Sequence, residues 1–142
     1  MSSYFIWDNQ LFDLQIPSMD DEHKKLISLM NVIYNKNQSK SSKSEILTPI
    51  NELLDLIMQH FHNEESYMEK VKFPGLANHR SIHHRLLAQF KQHKQDFESD
   101  SSGKINEKFF DFLALWLTAH IQYFDRQYSL WTHSEQDGQV NR

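Results

Sequence analysis

Apolar residues recur along this chain at steps of three and four positions, which is the period of an α-helix. The recurrence is interrupted by a Ser- and Lys-rich stretch at 37–44, a Pro-Gly break at 73–75 and a Ser-rich stretch at 99–104. The pattern therefore predicts four amphipathic helices, over about residues 19–38, 45–71, 76–98 and 106–131. Four long helices joined by short loops are typical of an up-down-up-down four-helix bundle, so the predicted fold class is all-α.

Two prolines bear on where these helices begin. Ser18 is the predicted N-cap of the first helix, with Pro17 just before it. Pro49 lies near the start of the second predicted helix, where it would remove a backbone hydrogen bond. Either that helix begins at Thr48, or its first turn is distorted.

A length of 142 residues suits a single domain over residues 1–142. Within it we expect an N-terminal arm over 1–17, a helical bundle over 18–131 and a loose polar tail over 132–142. The arm is apolar at Tyr4, Phe5, Ile6 and Trp7.

Location is predicted from what the sequence lacks. It has neither the positively charged start and small-residue cleavage site of a signal peptide nor an apolar run long enough to cross a bilayer. We therefore expect a cytoplasmic protein without membrane insertion.

Composition excludes several kinds of function and points to histidine. The chain carries 15 basic and 19 acidic residues with no basic block, which argues against a nucleic-acid partner. It has no cysteine, so disulfides, thiolate metal sites and cysteine nucleophiles are excluded. Nine histidines in so small a domain are unusual.

Five of the nine histidines fall on the core-facing apolar stripes of the predicted helices, with at least one on every helix. These five are His23, His60, His79, His83 and His120. The other four are predicted to point elsewhere: His62, His84, His93 and His133.

A carboxylate joins these histidines on the core stripes. Glu64 lies one turn after His60, so both side chains point to the same side of the second helix. A single core histidine is ordinarily just hydrogen-bonded, but a buried carboxylate without a cation is costly. No Arg or Lys occupies these stripes to pair with it, so we interpret the group as a cage for a metal cation.

The kinds of ligand narrow the choice of metal. Imidazole suits iron, zinc, copper and nickel, whereas carboxylates favour harder ions and can bridge two of them. Six or more ligands exceed one tetrahedral zinc site, so two metals are favoured over one. The Glu-x-x-His motif of the ferritin-like di-iron oxidases is absent. A site richer in histidine and less anionic favours reversible O2 chemistry over oxidation of strong C–H bonds.

The sequence resembles the hemerythrin family, and in particular its single-domain bacterial members, the bacteriohemerythrins. The resemblance spans about residues 4–131, and the early Trp7-Asp8 and the Phe73-Pro74 break also fit it. It is carried by four motifs: Asp21-Glu22-His23-Lys24-Lys25-Leu26, His60-Phe61-His62-Asn63-Glu64-Glu65-Ser66-Tyr67-Met68, His79-Arg80-Ser81-Ile82-His83 and Trp116-Leu117-Thr118-Ala119-His120-Ile121-Gln122-Tyr123-Phe124-Asp125.

The resemblance implies a non-haem di-iron centre as cofactor. His79, His83 and His120 would ligate one iron. His23 and His60 would ligate the other and leave one position open. Glu64 and Asp125 would bridge the two irons, with a solvent-derived hydroxide or oxide as the third bridge.

Asp125 is the ligand that helical spacing does not predict. It follows His120 by five positions, which places it about 140° away around an ideal α-helix. We predict a wide π-type turn between the two residues, because such turns concentrate at functional sites. The alternative is a regular helix from which the two side chains reach different parts of the centre.

The resemblance also implies an apolar pocket that holds O2, and four residues match it: Phe61, Trp116, Leu117 and Ile121. Leu117 stands one turn before His120, and we expect it to gate this pocket. The expected partner is O2 and the expected role is a carrier, store or supplier of O2, not an enzyme.

Three other functions stay open. The first is an O2 or redox sensor that acts through a separate protein partner. The second is peroxide or nitric oxide chemistry at the same open site, with Tyr67 and Tyr123 as candidate proton donors. The third is iron storage, which needs an acidic route of access that the sequence does not identify.

Overall fold

The structure is a computed structural model that describes the backbone of residues 4–140 and the side chains of residues 4–134. Between residues 4 and 140 the chain is helical with no β-strand. Its elements are α1 (Asn9–Phe12), α2 (Pro17–Gln38), α3 (Lys43–Lys70), α4 (Leu76–Ser99), α5 (Glu107–Leu115), a π-helical segment (Trp116–Asp125) and α6 (Arg126–Val140).

Four long helices form the bundle: α2, α3, α4 and a continuous helix made of α5, the π-helical segment and α6. The connections between them are short, at residues 39–42, 71–75 and 100–106, so successive helices run in opposite directions. The predicted all-α, up-down-up-down bundle is confirmed.

The first long helix begins earlier than predicted. Ser18 is not its N-cap; Pro17 takes the first helical position and Ile16 is the cap. Proline suits that position because its φ angle is already helical and the helix needs no N–H there. The side chain of Asp20 provides hydrogen-bond acceptors for the backbone just before the helix: it accepts from the amide of Leu14 at 2.9 Å and from that of Ile16 at 3.3 Å.

The second long helix continues without interruption through its proline, Pro49. It begins at Lys43, so a start at Thr48 is wrong. Ser42 and Glu45 form a capping box, in which each side chain accepts a hydrogen bond from the other residue's backbone amide. This cap stabilises the first turn, so the hydrogen bond that Pro49 removes does not end the helix.

The N-terminal arm packs along the bundle, as predicted. The side chain of Asn31 accepts a hydrogen bond from the amide of Phe5 at 2.8 Å and donates one to its carbonyl at 2.7 Å. Further along the arm, the carbonyl of Leu14 accepts a hydrogen bond of 2.6 Å from the hydroxyl of Ser129. Residues 1–3 of the predicted arm lie outside the described residues.

The prediction of a loose tail from Thr132 is wrong, because α6 continues to Val140. Thr132 is buried, and its hydroxyl donates to the carbonyl of Tyr128 and accepts from the hydroxyl of Tyr67, both at 2.9 Å. A polar residue thus continues the helix because it finds hydrogen-bond partners inside the bundle. Residues 141–142 lie outside the described part of the chain.

Most positions on the predicted core stripes are buried, although Leu76, Leu86 and Leu87 on α4 are only half-buried. Phe124, expected on the stripe of the last helix, is only half-buried, and the next residue, Asp125, takes the fully buried place. The apolar core is formed mainly by the half of the bundle that includes Met30, Ile50 and Leu113. No helix in the described region is long and apolar enough to cross a bilayer.

Candidate metal centre

All seven predicted ligand residues are buried and lie together inside the bundle. Every long helix contributes to this group. The residues are His23 from α2, His60 and Glu64 from α3, His79 and His83 from α4, and His120 and Asp125 from the π-helical segment.

The donor atoms form two overlapping clusters. Within each cluster, one ligand atom per residue can be chosen so that all lie within 4.8 Å of one another. The first cluster contains His79, His83, His120, Glu64 and Asp125; the second contains His23, His60, Glu64 and Asp125. The two carboxylates are therefore common to both clusters, and the clusters differ in their histidines.

Each shared carboxylate lies between histidines of the two clusters. Oε1 of Glu64 is 3.2 Å from Nε2 of His60 and 3.2 Å from Nε2 of His83. Asp125 is 3.3 Å from Nε2 of His23 through Oδ2, and 3.1 Å from Nε2 of His120 through Oδ1. Carboxylates in this position can bridge two cations.

The π-helical segment is what brings Asp125 to the site. It runs from Trp116 to Asp125 and so spans the whole interval between His120 and Asp125, which confirms the predicted wide turn. The extra residue per turn rotates Asp125 onto the buried face, where its side chain is fully enclosed. The alternative of a regular helix is excluded.

The electrostatics of the site favour ionised carboxylates. Burial alone would raise the pKa of the Glu64 carboxyl, but the surrounding imidazoles of His60, His23 and His83 lower it well below its usual range. Burial likewise opposes ionisation of Asp125, and His120 and His23 hold its pKa below the ordinary value.

The same carboxylates act on the imidazole of His60. Burial would lower the pKa of His60, but the charge of Glu64 and the hydrogen bond to Glu22 raise it to about 10. The metal-free site therefore favours a positive charge on this imidazole.

The residues present fit a pair of cations. Several buried atoms that face the two clusters have no hydrogen-bond partner: Nε2 of His23, His60, His83 and His120, Oε1 of Glu64 and Oδ2 of Asp125. Within the described part of the chain, no Lys or Arg forms an ion pair with either shared carboxylate. Imidazole nitrogens and carboxylate oxygens without partners, held this close together, form a donor set for transition metals.

Three polar residues around the clusters were not assigned a role from the sequence. Glu22 lies 2.6 Å from Nδ1 of His60, and Glu65 lies 2.9 Å from Nδ1 of His83. The hydroxyl of Tyr128 donates a 2.6 Å hydrogen bond to Oε2 of Glu64. The two glutamates each adjoin a predicted ligand in sequence, and that adjacency was the available signal.

The four predicted pocket residues are buried, and two of them contact histidines of the clusters. The ring of Phe61 stacks on His83, with centroids 3.8 Å apart, and Trp116 lies edge-on to His23 with a centroid distance of 6.1 Å. Leu117 and Ile121 are buried in the same apolar core as these two rings. The rings of Phe61 and Trp116 therefore form an apolar wall against the clusters.

The two tyrosines considered as proton donors do not point to the clusters. The side chain of Tyr123 is 64% exposed, so its assignment to the site is wrong. The hydroxyl of Tyr67 donates to Thr132 instead. The π-helical geometry explains the first result, because it turns Tyr123 outward as it turns Asp125 inward.

The remaining four histidines lie outside the two clusters, as predicted. His62 and His84 are exposed, and His93 and His133 are half-buried. His133, expected beyond the last helix, lies within α6.

Comparison with known proteins relates this arrangement to a family. The Hemerythrin HHE cation binding domain matches residues 15–128. A bacteriohemerythrin of Clostridium acetobutylicum is 30% identical, over 87% of this chain and 98% of that protein. A bacteriohemerythrin of Methylococcus capsulatus is 25% identical, over 86% of this chain and 92% of that protein. The crystal structure of wild-type hemerythrin matches with a TM-score of 0.79 at 24% identity, over 89% of this chain and 95% of that one.

Proposed function

The chain belongs to the hemerythrin family, and from that premise we propose that it binds O2 reversibly at a non-haem di-iron centre. The role would be that of a carrier, store or local supplier of O2 in the cytoplasm, performed by a single domain. This is binding rather than catalysis: of the two tyrosines considered as proton donors, Tyr67 is engaged by Thr132 and Tyr123 is exposed.

The observation that carries the proposal is the unequal number of histidines in the two clusters. One cluster offers His79, His83 and His120 in addition to the shared carboxylates, whereas the other offers only His23 and His60. With both carboxylates bridging, the second cation has one protein ligand fewer than the first. A metal site that keeps a position free of protein ligands is the kind that binds an external molecule.

In this assignment His79, His83 and His120 would hold one iron, His23 and His60 would hold the other, and Glu64 and Asp125 would be shared by both. A ferrous pair, when bound, supplies two electrons that O2 can accept and return. The residues of the chain set the conditions for that exchange by holding the two positions at fixed separation and by keeping the surroundings dry.

The donor set also supports reversibility through its charge. Five neutral imidazoles and two carboxylates bring less negative charge than the carboxylate-rich sites of ferritin-like proteins. Fewer anionic ligands stabilise high-valent iron less, which favours return of O2 over oxidation of strong C–H bonds.

The apolar wall supports retention of bound O2. Phe61 and Trp116 form it, and Leu117 and Ile121 are buried in the same apolar core, so water is excluded from the side of the clusters that the wall covers. Access of water and protons to a ferrous site promotes its irreversible oxidation, so a dry wall slows autoxidation.

The test is anaerobic loading with ferrous iron, followed by optical spectra through cycles of air and vacuum. A visible charge-transfer band that appears in air and disappears under vacuum is the expected result, with two irons bound per chain. Immediate irreversible oxidation contradicts reversible binding. A protein that takes up no iron, or retains only zinc, contradicts the di-iron centre itself.

A further inference from the structure

Two glutamates flank the clusters, and each contacts the outer nitrogen of one histidine. Glu22 accepts from Nδ1 of His60 at 2.6 Å, and Glu65 accepts from Nδ1 of His83 at 2.9 Å. His60 belongs to the cluster with two histidines, and His83 to the cluster with three. Each cluster thus has one histidine backed by a carboxylate.

This contact determines which nitrogen of each ring faces the cluster. When Nδ1 carries the proton and donates it to a carboxylate, Nε2 has a free lone pair in the direction of the metal position. The Nδ1 atoms of His23 and His120, in contrast, have no hydrogen-bond partner among the described residues. Orientation by a carboxylate is therefore selective and does not extend to every ring.

The two carboxylates differ in what else they bind. The second oxygen of Glu65 accepts a 2.9 Å hydrogen bond from the guanidinium of Arg80, a full positive charge. The second oxygen of Glu22 accepts a 2.9 Å hydrogen bond from the neutral amide of Asn63. A carboxylate shared with a guanidinium has less negative charge to place on an imidazole, so His60 is the more electron-rich of the two rings.

From these contacts we infer that Glu22 is a positioning residue for the metal at the His23–His60 cluster and makes His60 its stronger donor. Glu65 performs the same role at the other cluster, but Arg80 weakens it. The inference rests on the ligand assignment of the proposed function but not on O2 binding. It places the stronger donor next to the position that lacks a protein ligand.

The test is a zinc titration of the metal-free protein by calorimetry, which needs neither iron nor O2. Glu22→Gln keeps the shape of the side chain and an acceptor oxygen but removes the charge. It should weaken one of the two binding steps by about tenfold to a hundredfold. Glu65→Gln should weaken the other step by a smaller factor.

Two control variants each remove one negative charge close to Glu22 or Glu65 without removing a contact to a histidine of the clusters. Asp21→Asn adjoins Glu22 on α2, and Glu69→Gln lies one turn after Glu65 on α3; both side chains are exposed. Both controls should leave the two binding steps unchanged. Equal weakening by Asp21→Asn and Glu22→Gln would reduce the effect to net charge and overturn the inference.

A spectroscopic measurement separates positioning from a merely structural role. In the zinc-loaded protein the Nδ1 proton of His60 should give a strongly downfield proton resonance, because it is held by a carboxylate. Glu22→Gln should move this resonance upfield and leave that of His83 in place. An unmoved resonance, or equal weakening of both zinc-binding steps, overturns the inference.

The zinc and iron experiments distinguish this inference from the proposed function. If zinc binding changes as expected but the iron-loaded protein shows no reversible optical band, only the proposed function is contradicted. If the protein binds neither metal, both are contradicted.

Discussion

Oδ1 of Asp125 lies 3.1 Å from Nε2 of His120, although five positions separate the two residues along one helix. In an ideal α-helix these side chains would point about 140° apart. The π-helical segment removes this divergence, at the expense of regular α-helical hydrogen bonding through the middle of the last bundle helix. The geometry of the backbone and the geometry of the site are therefore linked at this point.

The first prediction concerns that link. In the metal-free protein, amide hydrogens of residues 116–125 should exchange faster than those in the middle of α3, because the wide turns are held less firmly. Metal binding should slow exchange in this segment by at least tenfold, since His120 and Asp125 then share a cation. Hydrogen exchange followed by mass spectrometry measures both states, and equal protection with and without metal would contradict the prediction.

Leu117 is expected to protect the centre from water. Leu117→Ala should speed autoxidation of the oxygenated protein severalfold and lower stability by about 2–5 kcal/mol, because the residue is buried. Leu117→Val removes less volume, so its autoxidation rate and its stability should lie between those of the parent protein and Leu117→Ala. Leu115→Ala is the matched control, since that side chain is 62% exposed on the same helix. The decay of the visible band measures the rate, and an unchanged rate in Leu117→Ala disproves the gate.

His60→Ala should abolish O2 binding while the bundle still folds. The apolar core around Met30, Ile50 and Leu113 contains none of the seven ligand residues, and the variant loses one of only two histidines in its cluster. Far-UV circular dichroism should be close to that of the parent protein, and iron content should fall towards one per chain. Loss of helical signal, here or in the metal-free parent, would mean that metal contributes more to folding than we expect.

Tyr128 should support the centre through Glu64. Tyr128→Phe removes a buried hydrogen bond to a carboxylate and should cost about 1.5–3 kcal/mol of stability, with weaker zinc binding. Tyr67→Phe is the control, because its hydroxyl contacts Thr132 and neither cluster. Calorimetric titration and thermal unfolding measure the two effects, and equal loss of zinc affinity in both variants would contradict a role for Tyr128 at the site.

The pH dependence of stability should differ between metal-free and metal-loaded protein. The pKa of His60 is raised from 6.5 to about 10 by folding. Its protonation therefore stabilises the metal-free fold fully below about pH 6.5, and this contribution is lost as the pH rises through about 10. A bound cation replaces the proton, so the decline should be absent in zinc-loaded protein. Urea unfolding at several pH values measures this dependence. A free energy of unfolding of the metal-free protein that increases between pH 6.5 and 10 would contradict the prediction.

Helical periodicity was sufficient to predict the bundle and the histidines that meet in it. His23, His60, His79, His83 and His120 each lie on an apolar stripe, and a stripe must face the core wherever the helices pack. Glu64 was found in the same way. The position of Asp125 required the resemblance to a family, because its place on the buried face depends on a π-helical segment that α-helical spacing does not predict.

Contacts between helices were harder to predict. Glu22 and Glu65 lie beside the stripes, where a side chain contacts either solvent or a neighbouring helix according to the rotation and axial offset of the two helices. Those quantities are set by packing of the whole bundle. Thr132 is a second example. Its polar character indicated a tail, because its hydrogen bonds to Tyr67 and Tyr128 depend on how the helices pack.

The distance along the sequence between two residues of the site bears on the order of folding and metal binding. His23 lies in the first bundle helix and Asp125 in the last, and their side chains are 3.3 Å apart. A chain emerging from the ribosome cannot join them until the last bundle helix has been synthesised, and this long sequence separation delays their contact relative to local helix formation. Binding of a cation by both residues would therefore be a late event, and a filled centre would mark a chain whose bundle is complete.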